Sequence, residues 1–232
     1  MAVGVTNLKH QLGLLGRMAW ARHLAQAFAT RFTGLRKRSL VEEPTSPAFD
    51  ETFRLLALEL KSGSAERVLK TILIMGAYPG DGRTLTVASL GIALAQLGCH
   101  VVVVESDARQ KDLSEILGAS FPDSLPVDQF GPVQTTIKGL EILPRAIASV
   151  GLQGADSLEK LVGSLSKEAD FVIFDSPPCL SHSAGFLLAS LVDGVVFVVK
   201  RRPQDIDAQR TIQSRLARLG AHVFGVIYND GR

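Results

Sequence analysis

From residue 69 onward, the sequence alternates short runs rich in valine and isoleucine with longer stretches of helical periodicity. The apolar runs include TILIMG, VVVVE, FVIFD and VVFVVK, and helical stretches such as RTLTVASLGIALAQLG lie between them. Strands that are apolar at every position are buried on both faces, which is typical of parallel sheets covered by helices on each side. The pattern therefore predicts an α/β fold with a mostly parallel sheet and helices on both faces.

Length, hydropathy and cysteine usage set further bounds on the chain. With 232 residues and 46% hydrophobic content, it can form one sizeable domain with an appendage. No apolar run approaches the roughly 18 residues that a membrane-spanning helix needs. The two cysteines, Cys99 and Cys179, lie far apart and outside any metal-binding spacing. These features predict a cytoplasmic chain whose thiols are packed rather than reactive.

The first 41 residues differ in charge from the rest of the chain. They contain seven basic residues and no acidic one, which leaves 18 basic against 23 acidic residues in the remainder. Residues 1–44 are therefore predicted to form a basic amphipathic segment with a linker, and residues 45–232 a separate domain. The apolar residues of the segment form two sets at helical spacing, which predicts one or two short helices. One set is Leu8, Leu12, Leu15 and Ala19, and the other is Leu24, Phe28, Phe32 and Leu35.

Three interpretations of this basic segment remain open. A basic amphipathic helix can lie on an anionic membrane surface or dock on a partner protein. It can equally well pack on its own domain and keep its basic face in solvent. A removable transit peptide is the third alternative and ranks last, because the segment has few serines and no evident processing site.

The segment GAYPGDGRTLT, residues 76–86, joins a predicted buried strand to a predicted helix. Its glycines permit a tight turn whose N–H groups can face a phosphate, and the helix N-terminus adds favourable charge. Relative to the phosphate-loop pattern, Ala77 holds the first glycine position, Arg83 the lysine position and Thr84 the Mg²⁺-binding hydroxyl position. A plain strand-to-helix connection is the alternative, which the flanking elements disfavour. The predicted nucleotide-binding residues are Pro79, Gly80, Asp81, Gly82, Arg83, Thr84 and Leu85.

Carboxylates follow two other predicted strands. Glu105 and Asp107 come directly after VVVV, spaced to point the same way, and Asp175 ends FVIFD. Because sheets of this kind bind ligands beyond the carboxyl ends of their strands, these side chains are expected near the phosphate loop. An intervening Mg²⁺ would prevent repulsion between carboxylates and phosphate. An ordinary acidic helix N-terminus is the alternative for Glu105 and Asp107.

With these motifs in place, the sequence resembles the bacterial tyrosine kinases of capsule and exopolysaccharide assembly, P-loop proteins of the group that also contains ParA and MinD. The resemblance is carried by TSPAFDETFRLL, PGDGRT, ESDAR, FVIFDSPP, DGVVFVVK and GVIYN. It implies ATP or ADP with Mg²⁺ as cofactors, and Thr84, Asp107 and Asp175 as metal-binding residues. It also implies that the catalytic residues are Arg83, Glu105 and Asp107.

Several features depart from that family's pattern. Arg83 replaces a lysine, and a planar guanidinium cannot fit between phosphate oxygens as a compact ammonium does. Glu105 replaces the usual aspartate, and Ala57 replaces the second arginine of the ring-forming E-x-x-R-x-x-R pattern. The chain has only two tyrosines, Tyr78 and Tyr228, so a tail bearing a tyrosine cluster is not expected.

These departures favour one functional prediction over two alternatives. The prediction is a nucleotide-binding regulator with tyrosine kinase activity weak or lost, whose partner is a membrane-anchored polysaccharide co-polymerase or export protein. The alternatives are an active kinase that phosphorylates a partner, and a MinD-like ATPase that cycles on an anionic membrane through residues 1–41. The resemblance allows a homo-oligomer, and no nucleic-acid partner is expected. The expected location is the cytoplasm, peripheral to the inner membrane if the basic segment binds it.

Overall fold

The computed structural model describes residues 47–62, 69–105, 112–119, 131–144, 155–200 and 206–229. The predicted basic segment, residues 1–44, lies outside these ranges, so its boundary with the domain stays a prediction. The strands are β1 (Thr71–Gly76), β2 (Val101–Val104), β3 (Val133–Gln134), β4 (Leu140–Leu143), β5 (Phe171–Asp175), β6 (Gly194–Lys200) and β7 (Val223–Asn229). The helices are α1 (Pro47–Ser62), α2 (Arg83–Gln96), α3 (Asp112–Ile116), α4 (Ala155–Glu168), α5 (Ala184–Ala189) and α6 (Ile206–Arg218).

The seven strands form one sheet in the order β3-β4-β2-β5-β1-β6-β7. All neighbouring strands are parallel except β3, which pairs antiparallel with β4 at one edge. Because β1 lies between β5 and β6, the chain first moves from β1 toward one edge and later crosses to the other. A reversal of this kind opens a crevice at the carboxyl end of β1.

Helices cover both faces of the sheet. β1, β2 and β5 are buried along their whole length. Since alternate side chains of a strand point to opposite faces, Ile72 and Ile74 enter one core and Leu73 and Met75 the other. α1, α2 and α3 pack on the first face, and α4, α5 and α6 on the second. The predicted α/β fold is therefore confirmed.

α1 packs on α2 through a buried apolar side. Phe53, Ala57 and Leu60 are almost completely buried there, and the Lys61 Nζ atom donates a hydrogen bond to the Leu97 carbonyl at 2.6 Å. Ala57 occupies the position of the second arginine in the ring-forming pattern. An arginine could not be accommodated at this fully buried position without a change in packing.

Asp193 ties the start of β1 to the start of β6, at the end of the sheet opposite the phosphate loop. Its Oδ2 atom accepts hydrogen bonds from the Lys70 and Thr71 N–H groups at 3.0 and 2.8 Å and from Thr71 Oγ1 at 2.8 Å. The Asp193 N–H group in turn donates to Thr71 Oγ1 at 2.8 Å. This reciprocal set fixes the register of the two neighbouring strands.

The described residues include both cysteines and all the helices that can be compared with the sequence predictions. Cys99 and Cys179 are both free and buried, as predicted, and burial raises the pKa of the Cys179 thiol to about 11. Within the described ranges, no helix combines the length and apolarity that crossing a membrane requires.

Candidate nucleotide-binding site

The predicted site residues follow the carboxyl ends of β1, β2 and β5, which lie close together in the sheet. The phosphate loop leaves β1 and ends where α2 begins, Glu105 follows β2, and Asp175 is the last residue of β5. β5 is paired with both β1 and β2. The sheet order thus brings segments that are distant in sequence together at the carboxyl ends of the central strands.

The loop after β1 makes its tight turn through two glycines. Gly80 has a φ angle of 76° and Gly82 one of 101°, in the left-handed region that costs other residues roughly 1–2 kcal/mol. The buried Asp81 carboxylate accepts a hydrogen bond from the Tyr78 N–H group at 2.8 Å. These features close the loop upon itself at the end of β1.

Asn229, at the end of β7, supports the loop from a distant part of the sequence. Its Nδ2 atom is buried and donates to the Asp81 carbonyl at 2.9 Å. A Cβ atom added at Gly82 would lie only 2.6 Å from this Nδ2 atom. Gly82 is therefore required both by its φ angle and by the close approach of Asn229.

The N-terminus of α2 faces the same site. The Thr86 N–H group and Thr86 Oγ1 both donate to the Gly82 carbonyl at 2.9 Å, which secures the first turn. That turn contains no acidic residue, so no carboxylate of its own offsets the positive end of the helix dipole. A helix start of this kind, preceded by a glycine turn, can bind a phosphate through its N–H groups.

Thr84 and Asp175 form the hydroxyl and carboxylate pair that a Mg²⁺ site needs. The Thr84 Oγ1 atom donates to Asp175 Oδ2 at 2.7 Å, and the aspartate is buried. Mg²⁺ in nucleotide sites binds one or two protein oxygens together with phosphate oxygens and water. The donor set fits that ion. Among the residues described, no three His, Cys, Asp or Glu side chains are grouped so as to hold a metal on their own.

The Arg83 side chain extends across the end of β1 toward the loop that follows β5. Its Nη1 atom donates a hydrogen bond to the Ser176 carbonyl, and its buried Nε atom has no hydrogen-bond partner among the described residues. A Cβ atom added at Gly76 would lie 2.9 Å from Arg83 Cδ, so this path depends on the glycine. The guanidinium is thus directed at a protein carbonyl in the position where a phosphate-binding lysine is expected.

Glu105 is buried beside α3 and close enough to Asp175 for their charges to interact. Its Oε1 and Oε2 atoms accept from Ser114 Oγ at 3.2 and 3.3 Å. Burial raises the pKa of the Glu105 carboxyl to about 7; Asp175 raises it further to a smaller extent, and the hydrogen bonds from Ser114 oppose the shift. Near neutral pH the carboxyl therefore exists in both protonation states. Only the ionised state can bind a cation or accept a proton.

The structure places most of the predicted site residues together. Arg83, Thr84, Glu105 and Asp175 lie at the carboxyl ends of the central strands. Asp107 lies outside the described residues, and its catalytic and metal roles stay predictions. The first and last of the predicted nucleotide-binding residues have different surroundings. Pro79 is exposed, whereas the Leu85 side chain packs against the hydrophobic core. A contribution from Leu85 would come from its backbone.

Three contacts of the site were beyond sequence reasoning. Asn229 belongs to the GVIYN run and Ser176 to FVIFDSPP, but neither run indicates a contact with the phosphate loop or with Arg83. Ser114 lies in a short helix that has no clear periodicity. Only the three-dimensional arrangement identifies these residues as supports of the site.

The fold and the site together define a class of protein. A parallel sheet, a glycine turn at the end of its central strand, a helix N-terminus and a Thr84–Asp175 pair beside it are the features of a P-loop nucleotide-binding domain. Within this class, the chain is a divergent relative of the bacterial tyrosine-protein kinases, with MinD-like proteins as further relatives.

Curated relatives give the extent of that similarity. The tyrosine-protein kinase YwqD of Bacillus subtilis is 25% identical over 189 residues, which are 77% of this chain and 80% of YwqD. The succinoglycan biosynthesis transport protein ExoP of Rhizobium meliloti is 26% identical over 215 residues, which are 83% of this chain but 26% of ExoP. No family model matches the chain.

Solved structures show the same fold. The kinase domain of the Escherichia coli tyrosine kinase ETK superposes with a TM-score of 0.72 and 20% identity, covering 95% of this chain and 93% of that domain. The septum site-determining protein MinD of Pyrococcus horikoshii, in complex with Mg-ADP, superposes with a TM-score of 0.58 and 20% identity over 68% of this chain and 69% of MinD. The likeness is greater to the kinase domain.

Proposed function

We propose that the chain binds ATP or ADP with Mg²⁺ and regulates polysaccharide assembly or export, with tyrosine kinase activity weak or lost. The observation that carries the nucleotide site is the hydrogen bond of 2.7 Å between Thr84 and Asp175, beside a glycine loop that ends in a helix N-terminus. These are the groups that would hold the metal and the phosphates. The bound metal would neutralise phosphate charge between Asp175 and the nucleotide.

Arg83 and Glu105 support the proposal of weak catalysis. Phosphoryl transfer depends almost entirely on positioning and on electrostatic stabilisation of the transferring group. Arg83 donates to the Ser176 carbonyl, so this contact must rearrange before the guanidinium can bind a phosphate through the same donor. Glu105, with a pKa of about 7, is a weak metal ligand in its protonated state. Both effects oppose efficient transfer without preventing nucleotide binding.

The similarity to ExoP, a transport protein of succinoglycan biosynthesis, supports a polysaccharide export or co-polymerase protein in the membrane as the partner. The nucleotide requirement supports a location on the cytoplasmic side of that membrane. The proposal does not require a homo-oligomeric ring, because the ring-forming pattern is interrupted at the buried Ala57.

Titration with a fluorescent ATP analogue, with and without Mg²⁺, tests the proposed site. Thr84→Val removes the hydroxyl but keeps the shape of the side chain, so affinity with Mg²⁺ should fall about tenfold, the equivalent of roughly 1.4 kcal/mol. Without Mg²⁺ the two proteins should differ much less. Thr211→Val is the matched control, because Thr211 is exposed on α6 and its hydroxyl bonds only the Asp207 carbonyl of its own helix.

Three further outcomes test the proposal and its two alternatives. Absence of analogue binding in the parent protein under both conditions would contradict the nucleotide site itself. Rapid formation of phosphotyrosine on an added tyrosine-bearing protein, in the presence of ATP and Mg²⁺, would show that the chain is an active kinase and would contradict the proposed regulatory function. Hydrolysis that requires anionic liposomes and residues 1–41 would instead support the MinD-like ATPase.

A further inference from the structure

The Arg83 side chain is held by contacts with β1 and with the loop that follows β5. Its Nη1 atom donates to the carbonyl of Ser176, a residue that is almost completely buried. A Cβ atom added at Gly76 would lie 2.9 Å from Arg83 Cδ and 3.0 Å from Cγ, so the aliphatic part of the side chain lies directly over this glycine. Movement of the guanidinium to another partner would leave a buried carbonyl without this donor, which is unfavourable.

The electrostatics of the loop after β5 agree with this placement. Burial raises the pKa of the Cys179 thiol to about 11, and Arg83 is the strongest of the charges that oppose the increase. The guanidinium therefore lies close to this thiol, three residues after Ser176. The Cys179 N–H group donates to the Gly76 carbonyl at 3.0 Å, which bonds the loop to the same end of β1. The charge of Arg83 is thus engaged with the protein itself.

The other phosphate-binding groups suit two phosphates better than three. In P-loop proteins the N–H groups of the glycine loop bind the α- and β-phosphates, whereas the lysine side chain reaches the β- and γ-phosphates. This chain keeps the glycine turn and the N-terminus of α2, but the cation at the lysine position is bonded to Ser176. The buried carboxyl groups of Glu105 and Asp175 add negative charge at the site when ionised. A third phosphate therefore brings further negative charge without a cationic side chain to neutralise it.

We infer that Arg83 makes this site selective for nucleoside diphosphates over nucleoside triphosphates. The inference rests on the proposed function and narrows its ligand. ADP uses the groups that the structure leaves available. ATP would require the bond between Arg83 and Ser176 to break before its γ-phosphate gains a cationic side chain. A chain that prefers the diphosphate retains the product of phosphoryl transfer rather than the substrate, which agrees with a regulator whose kinase activity is weak.

Isothermal titration calorimetry with ADP and with a non-hydrolysable ATP analogue, both in excess Mg²⁺, tests this selectivity. The parent should bind ADP about tenfold more tightly, because a hydrogen bond from a charged donor contributes at least this much. In Arg83→Lys the compact ammonium should be able to reach the γ-phosphate, so affinity for the analogue should rise and the preference should disappear. Arg83→Met removes the charge and the donor. The ratio of the two dissociation constants should nevertheless stay at the parental value, because Arg83 does not serve the γ-phosphate.

The matched control is Arg218→Lys, the same chemical change at an exposed residue in the last turn of α6. It should leave both affinities unchanged. Equal or tighter binding of the triphosphate analogue by the parent would overturn the inference alone, as would a selective loss of analogue affinity in Arg83→Met. Binding of neither nucleotide would overturn it together with the proposed site. Circular dichroism verifies that the variants are folded, and the comparison within the parent needs no variant.

Discussion

The Glu105 carboxyl has a pKa of about 7 because it is buried, against an ordinary value of 4.5. Between these two values the folded chain holds a proton that the unfolded chain has released. Protons bound preferentially by the folded state stabilise it, so this contribution is complete below about pH 4.5 and is lost as the pH rises to about 7. Glu105 thus links proton binding to the free energy of unfolding of the chain.

Urea unfolding across this pH range tests the linkage. The free energy of unfolding of the parent relative to Glu105→Gln should decrease by about 3 kcal/mol between pH 4.5 and pH 7.5, since each pKa unit corresponds to about 1.4 kcal/mol. Above that range the difference should be constant. Parallel curves for the two proteins over the whole range would show that Glu105 has an ordinary pKa.

A double variant can restore at positions 83 and 105 the lysine and the aspartate that the bacterial tyrosine kinase pattern carries. Arg83→Lys combined with Glu105→Asp should raise ATP turnover, because a lysine ammonium is compact and the shorter aspartate leaves room for the metal. A matched control makes the same chemical changes at the exposed Arg210 and Glu115 and should leave turnover unchanged. If the double variant is no faster than the parent, the arginine is a working adaptation rather than a sign of lost activity.

The phosphate loop is an element whose two glycines have different environments. A Cβ atom at Gly80 would meet nothing within 4 Å, whereas one at Gly82 would meet Asn229 Nδ2 at 2.6 Å. Gly80→Ala should therefore cost only the left-handed strain of about 1–2 kcal/mol. Gly82→Ala should cost more and should also weaken binding of the ATP analogue.

Chemical unfolding and the analogue titration measure the two effects. Asn229→Ala provides the internal control, because it removes the close contact but leaves the φ angle of Gly82 unchanged. Introduced into Gly82→Ala, it should recover part of the lost stability. Equal losses for the two glycine variants would mean that Asn229 does not constrain the loop.

The connection between the starts of β1 and β6 should contribute stability without contributing to function. Asp193→Ala leaves two N–H groups and the Thr71 hydroxyl without their acceptor, so the free energy of unfolding should fall by about 1–3 kcal/mol. Affinity for the ATP analogue should be unchanged because Asp193 lies at the other end of the sheet. A variant that loses both stability and affinity would show that the two ends of β1 are coupled.

At the scale of the whole molecule, the sequence predicts the architecture because its strands are apolar at every position and its helices are periodic. α3 and β3 escape prediction because elements of five and two residues are too short to display a period. Asn229 escapes because its contact with Asp81 depends on strand order, which no local pattern encodes. For Arg83 the sequence predicts the charge of the side chain but not its direction toward Ser176.

The bond from Asn229 to the Asp81 carbonyl joins residues 148 positions apart, and this separation has a consequence for protein synthesis. The ribosome completes the phosphate loop long before it adds Asn229. A nascent chain that ends before this residue therefore has the loop sequence but lacks the side chain that holds Asp81 in place. We therefore expect the loop to reach its final geometry only late in translation, and truncated translation products to bind nucleotide through this loop more weakly than the full chain.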